Sequence, residues 1–465
     1  MIPMTLARIA EVVGGTLADE SAAEVLVTAP AALDNRAVEP GGLFVAVVGE
    51  RVDGHDYAAA ALEAGAAAWL GTRRVEGPGV LVEDPVAALS RLARHVVGAV
   101  GGLTVAALTG SAGKTGTKDY LAAVLAAHGE TVATRGNHNN ELGVPLTVLA
   151  TTPTTRYLVV EMGARGRGHV AALCEVAPPA VAAVLNVGTA HVGEFGSREA
   201  IAVAKGEIVE ALDPDGVAVL AADDPLVAPM ASRTDARVLT WGTGAHGDVD
   251  VRHTAGSTDE LGRATFELTH AGRTETVALR QPGVHQVLNA TAAATMALGM
   301  GLDLADVAEA LRGAEAASPW RMELHTRADG LVVINDAYNA SPASTAAALD
   351  SLATMRRPGR RIAVLGEMRE LGAESRDLHR EVGRHAAELG LDVLVVVGEA
   401  GEDLAQGARE VAGWAGEAIL TASREAATDW LRQNVTADDV VLVKASRGVA
   451  LEHVAHGLLE GNPPR

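Results

Sequence analysis

The stretch LTVAALTGSAGKTGTKDY, residues 103–120, constrains the fold more than any other part of the chain. An apolar, strand-forming run breaks into glycines and restarts as a helical pattern. That order aims backbone N–H groups and the positive end of a helix at one point, where a polyphosphate fits. Gly110, Ser111 and Gly113 form the bend, Lys114 carries positive charge to the outer phosphates, and Thr115 offers a hydroxyl to magnesium. The spacing is G-x-x-G-K-T, one glycine short of the general G-x-x-x-x-G-K-[ST] loop, because position 108 is Leu. An ordinary strand-to-helix turn with a surface lysine is the competing interpretation. No Asn-Lys-x-Asp motif follows, so ATP is expected rather than a guanine nucleotide.

The strand, loop and helix order then repeats. YLVVEM, AVAAVLNV and SREAIAVAKGEIVEAL continue it, and after SPWR it resumes with GLVVIND, RRIAVLGE, DVLVVVGE and DDVVLVKAS. Such alternation predicts an α/β fold with mainly parallel sheets covered by helices. Between 248 and 280 polar, alternating segments predict a small antiparallel elaboration. Ahead of the loop, DYAAAALEAGAAAWL reads as helical, and VGAVGG marks a hinge. The 465 residues exceed what one core organises and divide into three domains, 1–98, 99–318 and 319–465. Against 59 acidic residues stand 38 basic ones, a net charge of −21 that argues against nucleic acid or an anionic membrane as partner. The only cysteine, Cys174, has no internal partner, and the apolar runs are strand-length, so a cytoplasmic protein without membrane insertion is expected.

Three further residues bear on the phosphate site. Glu161 ends an apolar strand, where a carboxylate suits magnesium, although strand-end glutamates are often simply solvated. His191 lies in a loop after the next strand, and imidazole is an uncommon magnesium ligand. Lys205 shares a helical stripe with Ile201, Ile208 and Leu212. Burial there would lower its pKa and leave an amine able to take up carbon dioxide as a carbamate, whereas a lysine on such a stripe can also snorkel to solvent.

Taken together, TGSAGKTGTKDY, TRGNHNNELGVPLTVL, VVEMGARGRGH, NVGTAHVGEFGSREAIAVAKGEI, GVHQVLNATAAA, DAYNASPAS, VLGEMRELG and VKASRG resemble the Mur ligases that build the peptidoglycan precursor, over essentially the whole chain. The resemblance implies a central P-loop ATPase-like parallel sheet and a C-terminal Rossmann-like α/β domain. It implies ATP and Mg2+ as cofactors, with Lys114 on the phosphates, Thr115, Glu161 and His191 as magnesium ligands, and Lys205 carbamylated. Asn289 matches a residue against adenine, and Arg321 with Asp336 a nucleotide-binding pair. Asn137, Asn139 and Asn140 match a loop that meets the incoming substrate.

DNRAVEPGGLFVAVVGERVDGHDY resembles the module that holds the UDP end of a muramoyl tripeptide, with Asn35-Arg36 where Ser-Arg is usual. Ala112 and Gly116 stand where larger polar residues are common, and Trp320 where glycine is usual. DAYNASPAS and GEMRELG resemble the branch that adds D-alanyl-D-alanine, which makes Asn339, Ser341 and Pro342 candidates for its pocket. Ser341-Pro342 is equally a good helix start. The implied reaction is ATP-driven formation of an acyl phosphate on the muramoyl tripeptide, followed by amine attack. A family member adding another amino compound, or a nucleotide switch that catalyses nothing, are the competing possibilities. The residues specify no oligomeric state, and a monomer is expected.

Overall fold

In the computed structural model, residues 1–49, 51–188, 195–399 and 401–460 are described. Packing divides the chain into two units, one of Met1–Gly110, Val124–Asn186 and Glu199–Leu239, the other of Ser111–Ala123, Val187–Arg198 and Thr240–Arg465.

In the first unit, five short strands form a sheet in the order Thr16–Leu17, Gly79–Leu81, Ala68–Gly71, Leu43–Val45 and Ala31–Ala32. All but the first pair run parallel. The buried Trp69 ring covers Gly79 so closely that no side chain fits there. The expected helix over DYAAAALEAGAAAWL is only partly right. The helix Ala58–Glu63 ends early, and Ala68–Gly71 is a fully buried strand. Gly65, at φ +108°, turns the chain between them, and Trp69 belongs to a pleated core. The helix Pro85–Ala99, capped by Asp84, takes in the first three residues of VGAVGG and ends at Val100.

The same unit holds a parallel sheet in the order Thr131–Ala133, Tyr157–Glu161, Thr104–Thr109, Val181–Val184 and Val217–Ala221. The four longer strands are buried on both faces, which explains their near-continuous Val, Ala and Leu runs.

In the second unit, Val251–Thr258, Arg263–His270 and Arg273–Pro282 pair antiparallel as the alternating segments predict. Two helices, His285–Gly299 and Leu304–Gly313, follow. A six-stranded sheet then has the order Glu323–Thr326, Val332–Asn335, Val440–Lys444, Arg361–Leu365, Val393–Val397 and Glu417–Thr421. All its pairings are parallel except the first. Each face carries its own apolar layer, one around Leu349, Leu352 and Leu442, the other around Val441, Val443 and Leu458. These are helix-covered α/β sheets, as the sequence predicts.

Candidate active site

The strand Thr104–Thr109 lies between Tyr157–Glu161 and Val181–Val184, and the carboxyl ends of open parallel strands are where such sheets hold ligands. In register, Glu161 stands opposite Leu108, two residues before Gly110. Its side chain is 3% exposed. Asn139 Nδ2 donates to Glu161 Oε1 at 2.8 Å, and the Glu161 N–H donates to Thr134 Oγ1 at 3.0 Å. The glutamate is therefore an oriented, buried carboxylate rather than a solvated strand end.

Of the three asparagines expected to meet substrate, only Asn137 is exposed. Asn139 holds Glu161, and Asn140 Oδ1 accepts from the Leu142 and Gly143 N–H groups at the start of the helix Gly143–Val148. Beside Glu161, the Met162 sulfur lies 3.6 Å from Cys174 Sγ. Burial pushes that thiol up to about 12.

Lys205 sits on the helix Arg198–Glu210 and is 5% exposed, with Ile201, Ile208 and Leu212 buried beside it on the predicted stripe. It does not snorkel. Two turns of that helix are held from outside. Glu207 accepts from the Gly168 and Ala171 N–H groups, capping the helix His169–Val176, and Arg233 donates to the carbonyls of Ala202 and Val203. His191 lies outside the described residues.

In the second unit the loop bends through Gly113, whose φ is +79°, and the helix Lys114–Ala126 begins directly after it. Thr117 N–H donates to the Gly113 carbonyl at 2.9 Å. Thr115 is buried and Lys114 half-buried. Asn289, on the helix His285–Gly299, donates to Gln286 Oε1 at 2.8 Å and accepts from Thr117 Oγ1 at 3.5 Å. A Cβ on Gly116 would fall 2.6 Å from Asn289 Nδ2, so the small residue at 116 is what lets that amide lie against the loop helix.

Farther along, Arg321 lies 4.2 Å over the Tyr338 ring, and its Nε is buried without a hydrogen-bond partner. The Asp336 carboxylate accepts from the Met322 N–H at 3.1 Å and from Lys444 Nζ at 2.6 Å. Lys444 also donates to the Asn339 carbonyl at 2.8 Å. Both charges of this pair are buried, and burial holds the Lys444 ammonium below its ordinary range while Asp336 opposes the shift.

Trp320, where glycine is usual, has φ +60°, which is the conformation glycine adopts freely. Arg447 lies 4.4 Å over its ring. Ser341 caps the helix Pro342–Ala353 in a reciprocal box with Ser344, and Pro342 takes the first turn. The Asn339 side chain accepts from the Ala340 N–H.

In the first sheet's region, Asn35 and Arg36 lie in the short helical turn Asn35–Ala37. The Arg36 guanidinium grips Asp34, which falls to about 2, and stays exposed. His55 is buried between Asp53, 2.6 Å from its Nδ1, and the Thr72 N–H, 2.9 Å from its Nε2.

Several of these partners were not anticipated. Thr134, Glu207 and Arg233 carry no local signature. Lys444 does carry one, a charged residue closing the apolar run VVLVK, where only a buried counter-charge makes a lysine tolerable. Among the described residues no three His, Cys, Asp or Glu side chains are grouped as a metal site.

Three family models match the chain in succession. Mur ligase family, catalytic domain, matches 32–96; Mur ligase middle domain, 108–297; and Mur ligase, glutamate ligase domain, 320–447. The UDP-N-acetylmuramoyl-tripeptide–D-alanyl-D-alanine ligase of Mycobacterium tuberculosis is 46% identical, with 99% of this chain and 98% of the relative covered. The ligase of the same name from Bacillus subtilis is 36% identical, covering 99% of each. A crystal structure of MurF from Acinetobacter baumannii superposes with a TM-score of 0.88 at 31% identity over 99% of each chain. MurF ligase from Thermotoga maritima, solved in complex with ADP, has a TM-score of 0.77 at 33% identity, over 93% of this chain and 98% of that one.

Proposed function

The chain belongs to the Mur ligase family, and on that premise we propose that it joins D-alanyl-D-alanine to UDP-N-acetylmuramoyl-tripeptide, converting ATP to ADP and phosphate. End-to-end likeness to ligases named for that reaction carries the assignment. A carboxylate is a poor acyl donor, so the terminal carboxylate of the tripeptide takes the γ-phosphoryl group and ADP departs. The dipeptide amine then attacks the acyl carbon, phosphate leaves, and the amine gives up a proton as the amide forms. Phosphoryl transfer of this kind needs positioning and charge neutralisation more than covalent help.

Lys114 is assigned to the outer phosphates, with Gly110, Ser111 and Gly113 supplying the cradle. Asn289 is assigned to the base and Arg321 with Asp336 to the far side of the nucleotide. The buried, unpartnered Arg321 Nε supports a ligand there. Magnesium, when bound, would screen phosphate charge, and the oxygens of Thr115 and Glu161 suit it. Carbamylation of Lys205, in which an amine adds carbon dioxide and loses a proton, rests on the sequence alone. His191 as a further ligand rests on the sequence alone.

Arg36 and Asn35 are assigned to the UDP end, Asn137, Asn139 and Asn140 to the loop near the γ-phosphate, and Asn339, Ser341 and Pro342 to the dipeptide. Three domains, 1–98, 99–318 and 319–465, are assigned, and the order of the three family matches supports that division. A monomer acting in the cytoplasm completes the proposal; no helix among the described residues is long and apolar enough to cross a membrane.

The test is ADP release with a panel of amines. Release should require UDP-muramoyl-tripeptide and D-alanyl-D-alanine together, with L-alanyl-L-alanine, lysine and diaminopimelate much poorer. Lysine and diaminopimelate carry an extra charge that would cost several kcal/mol to bury unpaired. Efficient turnover with a free diamino acid, and none with the dipeptide, would move the chain to a sibling branch.

A further inference from the structure

Lys118, Asp119 and Ser318 form a buried polar cluster for which the proposed chemistry has no use. Lys118 is 4% exposed, Asp119 5% and Ser318 6%. Lys118 Nζ lies 2.5 Å from Asp119 Oδ1 and donates to Ser318 Oγ at 3.0 Å. Asp119 in turn accepts from the Ser318 hydroxyl at 3.0 Å and from the Ser318 N–H at 3.1 Å. A buried ion pair is weak evidence for stability, since apolar groups of similar shape serve as well, so its value is better sought in what it orients.

Both ends of the cluster lead to the nucleotide. Lys118 and Asp119 follow Lys114 and Thr115 by four residues, one turn along the same helix, and so lie on the same faces. Ser318 precedes Arg321 by three residues. Between and beyond them Trp320 and Met322 hold φ of +60° and +49°, a bend that few alternative conformations share. The bend is fixed from several sides: the Trp320 N–H donates to Glu323 Oε2, its carbonyl accepts from the Tyr338 N–H, and Met322 N–H donates to Asp336. With so little freedom between them, the place of Ser318 sets the place of Arg321.

We propose that Lys118, Asp119 and Ser318 are positioning residues that tie the phosphate-loop helix to the Ser318–Met322 bend, so that Lys114 and Arg321 reach one nucleotide together. This rests on the assignment of Lys114 and Arg321 to ATP. Loss of the clamp should weaken ATP use and leave the dipeptide KM unchanged.

The experiment is a double-mutant cycle on the full-length enzyme, reading the KM for ATP and for D-alanyl-D-alanine, with thermal melting to confirm folding. Ser318→Ala should raise the ATP KM about tenfold, the scale of a hydrogen bond to a charged group. In an Arg321→Ala background the same change should have almost no further effect, because a residue that acts through Arg321 has nothing left to position. Ser318→Thr, which keeps the hydroxyl, should restore the ATP KM. Should Ser318→Ala not fold, Asp119→Asn goes through the same cycle. An unchanged ATP KM, or equal effects in both backgrounds, overturns the clamp. If Arg321→Ala itself leaves the ATP KM unaltered, the nucleotide assignment fails instead, and the two failures are told apart.

Discussion

Replacing Lys444 with methionine should destabilise the C-terminal sheet far more than its place at one strand end suggests. The side chain is 2% exposed, and its ammonium serves both Asp336 Oδ2 at 2.6 Å and the Asn339 carbonyl at 2.8 Å. Methionine fills the volume but leaves a buried carboxylate with the Met322 N–H as its one remaining described donor. Stranding one partner of a buried pair costs about 3–5 kcal/mol. For a domain of this size each kcal/mol moves the melting point by roughly 3 °C, so a loss of about 10 °C is expected. Differential scanning calorimetry should show it, with hydrogen exchange localising the change to Val332–Asn335 and Val440–Lys444. The second step is Asp336→Asn in the Lys444→Met background. Removing the stranded charge should restore at least half of the lost melting temperature. A single variant that melts within about 1 °C of the parent, or a double variant no better than the single, would refute the reasoning, because each means the carboxylate is not stranded.

Asn139→Leu should lower kcat by about 10- to 100-fold, raise the magnesium requirement and lower the melting temperature by roughly 3–9 °C, since the amide both orients and satisfies the buried Glu161; unchanged magnesium dependence would contradict this. Trp320→Gly relieves a left-handed backbone worth about 1 kcal/mol and forfeits an Arg447 cation–π contact of about 0.5–1 kcal/mol, so melting should shift by less than about 3 °C; a larger fall would show that the ring does more than cover Arg447. His285 is half-buried, and the desolvation it suffers there holds its pKa below the ordinary 6.5. The unfolded chain therefore binds the proton first as pH falls through 6.5, and native stability declines below that pH down to the folded value. His285→Gln should flatten the acid limb of a stability-against-pH curve, and an unaltered limb would remove His285 from the explanation.

The parts of the fold that follow periodicity were legible in the chain. Doubly buried strands announce themselves as unbroken Val, Ala and Leu runs, whereas the stripe through Ile201, Lys205 and Ile208 left burial and snorkelling of the lysine both open, and only packing decides for burial. Ser341-Pro342 could be read as a helix start because capping is a local affair. What failed was length. DYAAAALEAGAAAWL has helical composition throughout, and only tertiary burial of Trp69 in a sheet decides that its end is a strand. The candidate site was legible as residue types but not as partnerships. Asn139 and Asn140 looked like two members of one substrate loop, yet one holds a carboxylate 22 positions away and the other caps its own helix. Lys118, Asp119 and Ser318 are separated by about 200 positions, and nothing in either stretch points to the other.

Cys174 is the chain's sole natural thiol, and its burial against Met162, with a pKa near 12, leaves almost no thiolate at neutral pH. The native protein is in effect a cysteine-free background for maleimide chemistry. Exposed positions such as Glu63 in the N-terminal region and Arg432 in the C-terminal one can each be replaced by cysteine and dye-labelled without first removing the natural residue. Nucleotide- and dipeptide-dependent distance changes can then be followed one molecule at a time in an otherwise unaltered enzyme.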